Sequence, residues 1–364
     1  MMMQDKGAEG TIRDPKPAPA GAAPGSASSV ERGLSDYMYH ATTGSRRATK
    51  RIVPHDPTPK PTLRGGRTNR IMLYNGCFNP PHRGHLAHLR HAFQHCGADF
   101  NVVAAVVLVA GDDYLKYKSG RNRNVMRLGV EERVNLWTKA LEETSVRVDG
   151  HIMEDMSNWC WVVKENDWVR VVSILEADFT KDHFEVEFVH LAGGDKISVK
   201  SGCHGVWGCR TLITTDVSRP VDFYSSTGNN ITALPKNLRR HTPWELVAGS
   251  LENLSDARKS EEGVVVASHN MKDPLRPVYT CRMADQYTKS THTVRFIVAE
   301  PNERLDSGLS STKVQAIIAG TKSLDRDCDR ETRISRLADR LWGMALCPRL
   351  LASYVVEKWE EEEG

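Results

Sequence analysis

The ten residues Gly76-Cys77-Phe78-Asn79-Pro80-Pro81-His82-Arg83-Gly84-His85 constrain this chain more than any other stretch. An apolar run, Ile71-Met72-Leu73-Tyr74, precedes them, and Leu86, Leu89 and Phe93 follow at helical spacing. The pattern predicts a strand, a tight turn and a helix. Gly76 and Gly84 let the backbone come close to a ligand, while Pro80 and Pro81 stiffen the connection. The second histidine falls in the opening turn of the helix, where unsatisfied N–H groups and the positive end of the dipole favour an anion. Two imidazoles added to such a site point to a reaction in which negative charge on phosphate is stabilised.

At 364 residues the chain has room for one large α/β domain with extensions, which fits better than two small domains. A formal net charge of +3 and 7% aromatic residues give no reason to expect a nucleic acid or a membrane as partner. The longest apolar run, Val102 to Ala110, has the length of a strand and falls far short of a membrane span. Eight cysteines without a Cys-x-x-Cys pair, and no apolar signal segment before them, predict reduced thiols in a cytoplasmic or nuclear setting. Cys203, His204 and Cys209 lack zinc-site spacing, so no protein-ligated metal is expected.

Residues 1–69 are rich in Pro, Ala, Gly, Ser and basic residues, and their composition predicts a disordered tail; deleting residues 1–65 should then spare activity. Arg46, Arg47, Lys50 and Arg51 read as a solvated charge run or a nuclear-import signal. From residue 70 to 359 short β-rich runs alternate with helical patterns, the order of parallel βαβ units. Strands are expected at 71–74, 102–109, 186–192, 211–215 and 293–298. Val130, Val134, Trp137 and Leu141 trace one helical face, and Trp161, Trp168, Val172 and Leu175 another. Residues 220–290 interrupt the pattern as an insertion, with one strand suggested at Val264-Val265-Val266. A short helix carrying Val314, Ile317 and Ile318, a last helix near 350–359 and an acidic tail at 360–364 complete the reading.

The phrase GCFNPPHRGHL resembles the (H/T)xGH motif of the nucleotidyltransferase superfamily, and in particular the N-terminal motif of nicotinamide and nicotinate mononucleotide adenylyltransferases. The resemblance implies an α/β fold with a Rossmann-like doubly wound parallel sheet. It also implies that His82, His85 and Lys116 act in catalysis, with ATP held by Gly76, Cys77, Phe78, Asn79 and Gly84. Gly111-Asp112-Asp113-Tyr114-Leu115-Lys116 is similar to the family's Gly-Asp-x-Tyr-x-Lys segment, which puts Lys116 on the triphosphate and Tyr114 beside the mononucleotide; Lys118 is shifted from the matching position. Gly193 and Asp195, in Gly193-Gly194-Asp195, resemble the Gly-x-Asp motif whose carboxylate meets ribose hydroxyls. Trp207 lies near the family's ring-stacking tryptophan, and Trp161 and Trp168 keep its seven-residue tryptophan spacing, so Trp161 and Trp207 fall on the mononucleotide side. Arg219, in Val217-Ser218-Arg219-Pro220, matches the Arg-Pro that ends the fourth strand in bacterial relatives, which implies contact with phosphate or the mononucleotide. Ser310, Ser311, Thr312 and Lys313 resemble the ISSTxxR phosphate turn. There the family's arginine is replaced by Gln315, which carries no charge. If that position lacks only a cation, Gln315→Arg should tighten ATP binding.

The activity so implied joins ATP to nicotinamide or nicotinate mononucleotide, with Mg²⁺ bridging phosphate oxygens and pyrophosphate released. The partners are then ATP and a mononucleotide, with a homo-oligomer left open. Two alternatives stand beside it: the same chemistry on another phosphorylated acceptor, and a non-catalytic nucleotide-binding protein of the same fold.

Overall fold

The run Val102–Val109 is apolar at every position, and its last six residues are buried in the computed structural model. A strand of that kind needs cover on both faces, which is the condition of an inner strand in a parallel sheet. The structure describes residues 31–43, 61–120, 125–143, 156–203, 207–225, 234–247, 276–284, 291–305, 309–322 and 327–364.

The chain opens with a short strand β1 (Glu31–Gly33), helix α1 (Leu34–Thr43) and β2 (Thr62–Arg64), which pairs antiparallel with β1. There follow β3 (Asn69–Gly76), α2 (Arg83–His95), β4 (Val102–Val109), α3 (Asp112–Ser119), α4 (Val130–Glu143), β5 (Cys160–Lys164), α5 (Glu165–Lys181), β6 (Val186–Leu191) and β7 (Thr211–Thr215). Then come β8 (Glu245–Leu246), β9 (Val278–Ala284), β10 (Thr291–Ile297), and helices α6 (Ser311–Lys322), α7 (Arg330–Leu341) and α8 (Pro348–Glu363). The main sheet has the order β5-β4-β3-β6-β7-β10-β9-β8. The first six of these run parallel, and β9 and β8 extend one edge antiparallel.

This is the doubly wound Rossmann order, and the chain reverses its direction of travel across the sheet at the β3/β6 pair. Ligands of such sheets bind beyond the carboxyl ends of the strands at that reversal. The turn that begins at Gly76 leaves β3 there.

Side chains alternate along β4, so Ala105, Val107 and Val109 enter one core and Ala104, Val106 and Leu108 the other. Buried side chains of α2, α4, α6, α7 and α8 fill the first, with Trp137 wholly covered. Helices α1 and α5 fill the second. A third cluster packs Phe223, Trp244 and Phe296 over β9 and β10.

Several expectations change. Residues 31–43, within the expected tail, are folded: Leu34, Tyr37, Met38 and Ala41 are buried, and Tyr37 packs on Phe179 and donates to Asp182 at 2.6 Å. Four apolar side chains at helical spacing were enough, and the Pro- and Gly-rich surroundings concealed them. Trp161 lies in strand β5, not on a helical face with Trp168. Residues 220–290 contribute β8 and β9 to the sheet, while Val264-Val265-Val266 and the basic cluster at 46–51 lie outside the described residues. The acidic tail is the last turn of α8, where Glu362 and Glu363 pair with Lys322 and Arg333. Among the described residues no helix is long and apolar enough to cross a membrane.

Because Leu34 is fully buried against α5, Leu34→Ala should lower the free energy of unfolding by about 2–5 kcal/mol, read from urea denaturation. Deleting residues 1–65 should likewise destabilise the protein, since Leu63 is buried with it. Unchanged midpoints in both variants would show that this segment adds nothing to the core.

Candidate functional site

Helix α2 opens on a histidine. His82 is its N-cap, with extended backbone, and its Nδ1 accepts from the Gly84 N–H at 3.1 Å. His85 Nδ1 in turn accepts from the His82 backbone N–H at 3.2 Å, which completes a capping box made of two imidazoles. A backbone N–H can only donate, so each Nδ1 carries a lone pair, and in the neutral ring the proton sits on Nε2. The two rings stack with centroids 3.6 Å apart. His82 is 2% exposed, and its Nε2 is buried without a hydrogen-bond partner in the protein. Leaving such a donor unmade costs about 1–3 kcal/mol, an expense that a bound acceptor would remove.

Both rings are held neutral. Burial, and then the nearby Arg219 charge, bring His82 down to about 4. Burial, followed by His82, Arg219, His88 and Lys118, puts His85 well below the usual imidazole range. One turn on, burial brings His88 to about 4 while its Nε2 meets the Ala192 carbonyl at 3.1 Å.

The turn before them is built around tight contacts. Phe78 takes the left-handed conformation (φ 45°) and places its ring against Tyr74, His85 and Trp137. A Cβ at residue 76 would come within 2.9 Å of that ring, so something must shift to admit one, and a Cβ at residue 84, at 3.0 Å from the His82 ring, would press on the imidazole. Asn79 is buried and engages residues 126–128, donating to Met126 O at 2.8 Å and accepting from Leu128 N at 2.9 Å. Ser311 donates to Pro80 O at 3.0 Å, and Ser310 caps α6 by accepting from Lys313 N at 3.2 Å, so the 310–313 turn abuts the 79–82 turn. Cys77 is buried, and burial raises its thiol pKa.

Gln315 is no vacant cation position. Its amide accepts from Met126 N at 3.1 Å and donates to Met126 O at 2.8 Å and to Asn79 O at 3.3 Å. It closes residue 126 against the turn as a strand neighbour would, and arginine lacks the acceptor this needs.

Of the remaining candidates, Asp195 and Arg219 come to the turn. Arg219 bears on Tyr74, His82, His85 and His88, which places it on the imidazole side, while Asp195 acts on Tyr74 and His88. Gly194 beside it is backed by Arg219, Pro220 and Val221, and a Cβ there would meet Val221 at 2.8 Å. Lys116 lines a cleft of about 360 Å³ with Gly111, Asp113, Val130, Lys164 and Asn166, and no residue of the 76–85 turn borders it. The charge of Lys118 on α3, the residue passed over at the level of motif spacing, reaches His85 and Cys77. Tyr114, Thr312 and Lys313 are exposed, and Trp207 is 37% exposed in the left-handed region. Trp161 is a correction: it is 2% exposed within the core of α1 and α5, on the opposite face from Phe78 and Trp137, so its ring is covered on both sides and no base can stack on it.

Sequence reasoning missed Arg133. This fully buried residue of α4 donates to Leu128 O, Cys77 O and Ala110 O at 3.0, 2.8 and 2.7 Å, and pairs with Asp112 at 2.7 Å. Its neighbours Glu131 and Glu132 make the segment read as a solvated charge run, so no local signal marked it. Also missed was His190, whose Nε2 meets Asn75 Oδ1 at 2.9 Å across the β3/β6 reversal. Asn75 further supports Glu165, whose carboxyl is pushed up by burial and partly restored by that bond.

A switch-point turn that holds two neutral imidazole donors at a helix N-terminus, with arginine and lysine charge around them, has donors and charge suited to an anion. Residues 73–227 match the family model described as Cytidylyltransferase-like, a match that supports a nucleotidyltransferase domain acting on a nucleoside triphosphate and an acceptor. No curated protein matches the chain.

Two outcomes follow. The unfolded chain protonates its histidines near 6.5, whereas folded His82 does so near 4, so protonation in that window favours unfolding. Stability should be full above about pH 6.5 and decline as the pH falls towards 4. Asn at position 82 keeps a good cap without the titration, so His82→Asn should flatten that decline by on the order of 3 kcal/mol in urea titrations; equal slopes would contradict the assignment. Separately, Gln315→Arg should lower the melting temperature and raise KM for the nucleotide, because the Met126 N–H loses its acceptor. A lower KM would restore the simple cation-deficit reading.

Proposed function

We propose that this chain is an adenylyltransferase that joins ATP to nicotinamide or nicotinate mononucleotide, forming NAD or its deamido form and releasing pyrophosphate. The observation that carries the reading is the buried, unpartnered Nε2 of His82 beside a second neutral imidazole at the start of α2. An acceptor phosphate attacks the α-phosphorus of ATP in line, and no side-chain nucleophile is needed. Catalysis then rests on bringing two anions together and on donors fixed in advance where charge develops. His82 and His85 would donate Nε2–H to the phosphates, and Arg219 and Lys118 would supply positive charge. The 310–313 turn and Lys116 would hold the remainder of the triphosphate. Asp195 would meet the ribose, with Tyr114 and Trp207 on the acceptor side.

Mg²⁺ fits as a companion of the triphosphate. Asp112 is bound to Arg133, while Asp195 acts on Tyr74 and His88 beside the turn, and magnesium commonly binds through one or two carboxylates together with substrate phosphates. When bound it would neutralise phosphate charge.

A second reading, transfer of a nucleotidyl group to another phosphorylated acceptor with CTP as donor, is favoured by the burial of Trp161 and by the description of the matched family. Pyrophosphate release, measured with ATP or CTP against mononucleotides, phosphopantetheine and phosphorylated alcohols, separates the two. Activity with CTP alone would sink the first reading, and silence with every pair would leave a binding protein. With the productive pair, His85→Ala should lower kcat by about 10² to 10³, as loss of one pre-placed donor does, with an unchanged circular dichroism spectrum. Near-normal turnover would remove His85 from the chemistry.

A further inference from the structure

Two turns beyond the imidazole pair, α2 carries two more histidines at i and i+4, His91 and His95, on one face of the helix. The chain after β10 brings Glu303 against them, and the nearest ligand atoms of the three all lie within 4.8 Å of one another. His91 is 5% exposed. Its Nε2 makes no hydrogen bond, and what faces it is the Glu303 Oε2 at 3.5 Å. That distance is long for a hydrogen bond between nitrogen and carboxylate. It is close to the edge of a tetrahedron around zinc, about 3.3–3.4 Å for bonds of about 2.0–2.1 Å.

The surroundings suit ligation. Thr215 Oγ1 lies 2.9 Å from His91 Nδ1, where it can accept the N–H of the tautomer that leaves Nε2 with its lone pair. Glu303 Oε1 accepts from Arg276 at 2.7 Å, and its Oε2 accepts from the Glu300 N–H at 2.9 Å, which fixes the carboxylate with the second oxygen towards His91. The widest separation exceeds the tetrahedral edge by about 1.4 Å, the scale of one side-chain torsion at half-buried His95.

We propose that His91, His95 and Glu303 form a Zn²⁺ site that clamps the C-terminal half of α2 to the segment after β10. Two imidazoles and one carboxylate are zinc ligands, and three protein ligands leave a fourth position for water. The site stands apart from the nucleotide chemistry: His91 is six residues from His85, about 9 Å along the helix. Its role is to position. It fixes α2, whose first turn holds His82 and His85, against the chain that leads seven residues later to the Ser310 cap of α6. The proposal does not depend on which donor or acceptor the domain uses.

The test uses the full, untagged chain, stripped with chelator and then titrated with ZnCl₂ or CoCl₂. One equivalent of Zn²⁺ should remain after gel filtration and raise the melting temperature. Co²⁺ should give the visible absorption of a four-coordinate site. His95→Ala and Glu303→Gln should each weaken binding by at least 10–100-fold, with unchanged circular dichroism in the stripped state; glutamine keeps one carbonyl oxygen, which can serve one of the two donors, Arg276 or the Glu300 N–H, that the carboxylate satisfies. Cys203→Ser should bind as the wild type does, which tests against zinc held instead by Cys203 and the neighbouring His241. Should the stripped Glu303→Gln variant fail to fold, His95→Ala, in the last turn of α2, decides alone. No uptake by the wild type, or equal uptake by wild type and His95→Ala, overturns the proposal and leaves His91 and Glu303 as an ordinary ion pair.

Discussion

The geometry of the turn depends on one buried guanidinium. Arg133 reaches from α4 to the carbonyls of Cys77 and Ala110, which leave β3 and β4, and to Leu128 and Asp112, which bracket the connection between those strands and α4. The planar fork of donors spans these acceptors at fixed angles, which a lysine's point charge cannot do. Asp112 balances its charge, so the arrangement does not carry an isolated buried cation. Carbonyls that end parallel strands have no ladder partner, and Arg133 supplies one. One turn further along α4, Trp137 packs on Phe78 and His85, so the same helix that holds the strand ends also backs the turn.

The fold was legible where each strand is buried on both faces. Val102–Val109 and Thr211–Thr215 could be read to the residue, the first because an apolar run of eight is too short for most other uses, the second because β-branched residues fill four of its five positions. Legibility failed where tertiary packing sets the state. Cys160–Lys164 has one tryptophan and two valines, its Trp161 falls at helical spacing from Trp168, and its pairing with β4 decides for the strand. Leu34–Thr43 is a short amphipathic helix in unpromising company, and α5 is what stabilises it. Strand β9 is marginal alone and exists as the antiparallel neighbour of β10.

The site was legible as a motif and illegible as a network. His82, His85, Gly76 and Gly84 stand in one continuous phrase, whose spacing encodes the strand, turn and helix that place them. Arg133 and Gln315 act across 50 or more residues, and Lys118 acts from two positions beyond the expected lysine, so nothing local distinguishes them from surface residues. Gln315 shows how spacing misleads. It sits where a cation would, but what fixes its identity is the need for an acceptor and a donor on the same side chain to match both backbone groups of Met126.

The neutrality of the capping imidazoles has a consequence for how the pocket acquires charge. In the resting protein the fixed positive charge beside the turn comes from Arg219 and Lys118, and the two rings add none. A second proton on either ring would have to sit on an Nδ1 that accepts a backbone N–H, so charging a ring breaks the capping box, and an anion at Nε2 meets donors that stay neutral. The countercharge is then the fixed charge of the neighbouring side chains, and the heat of anion binding would be the same in buffers of different ionisation enthalpy.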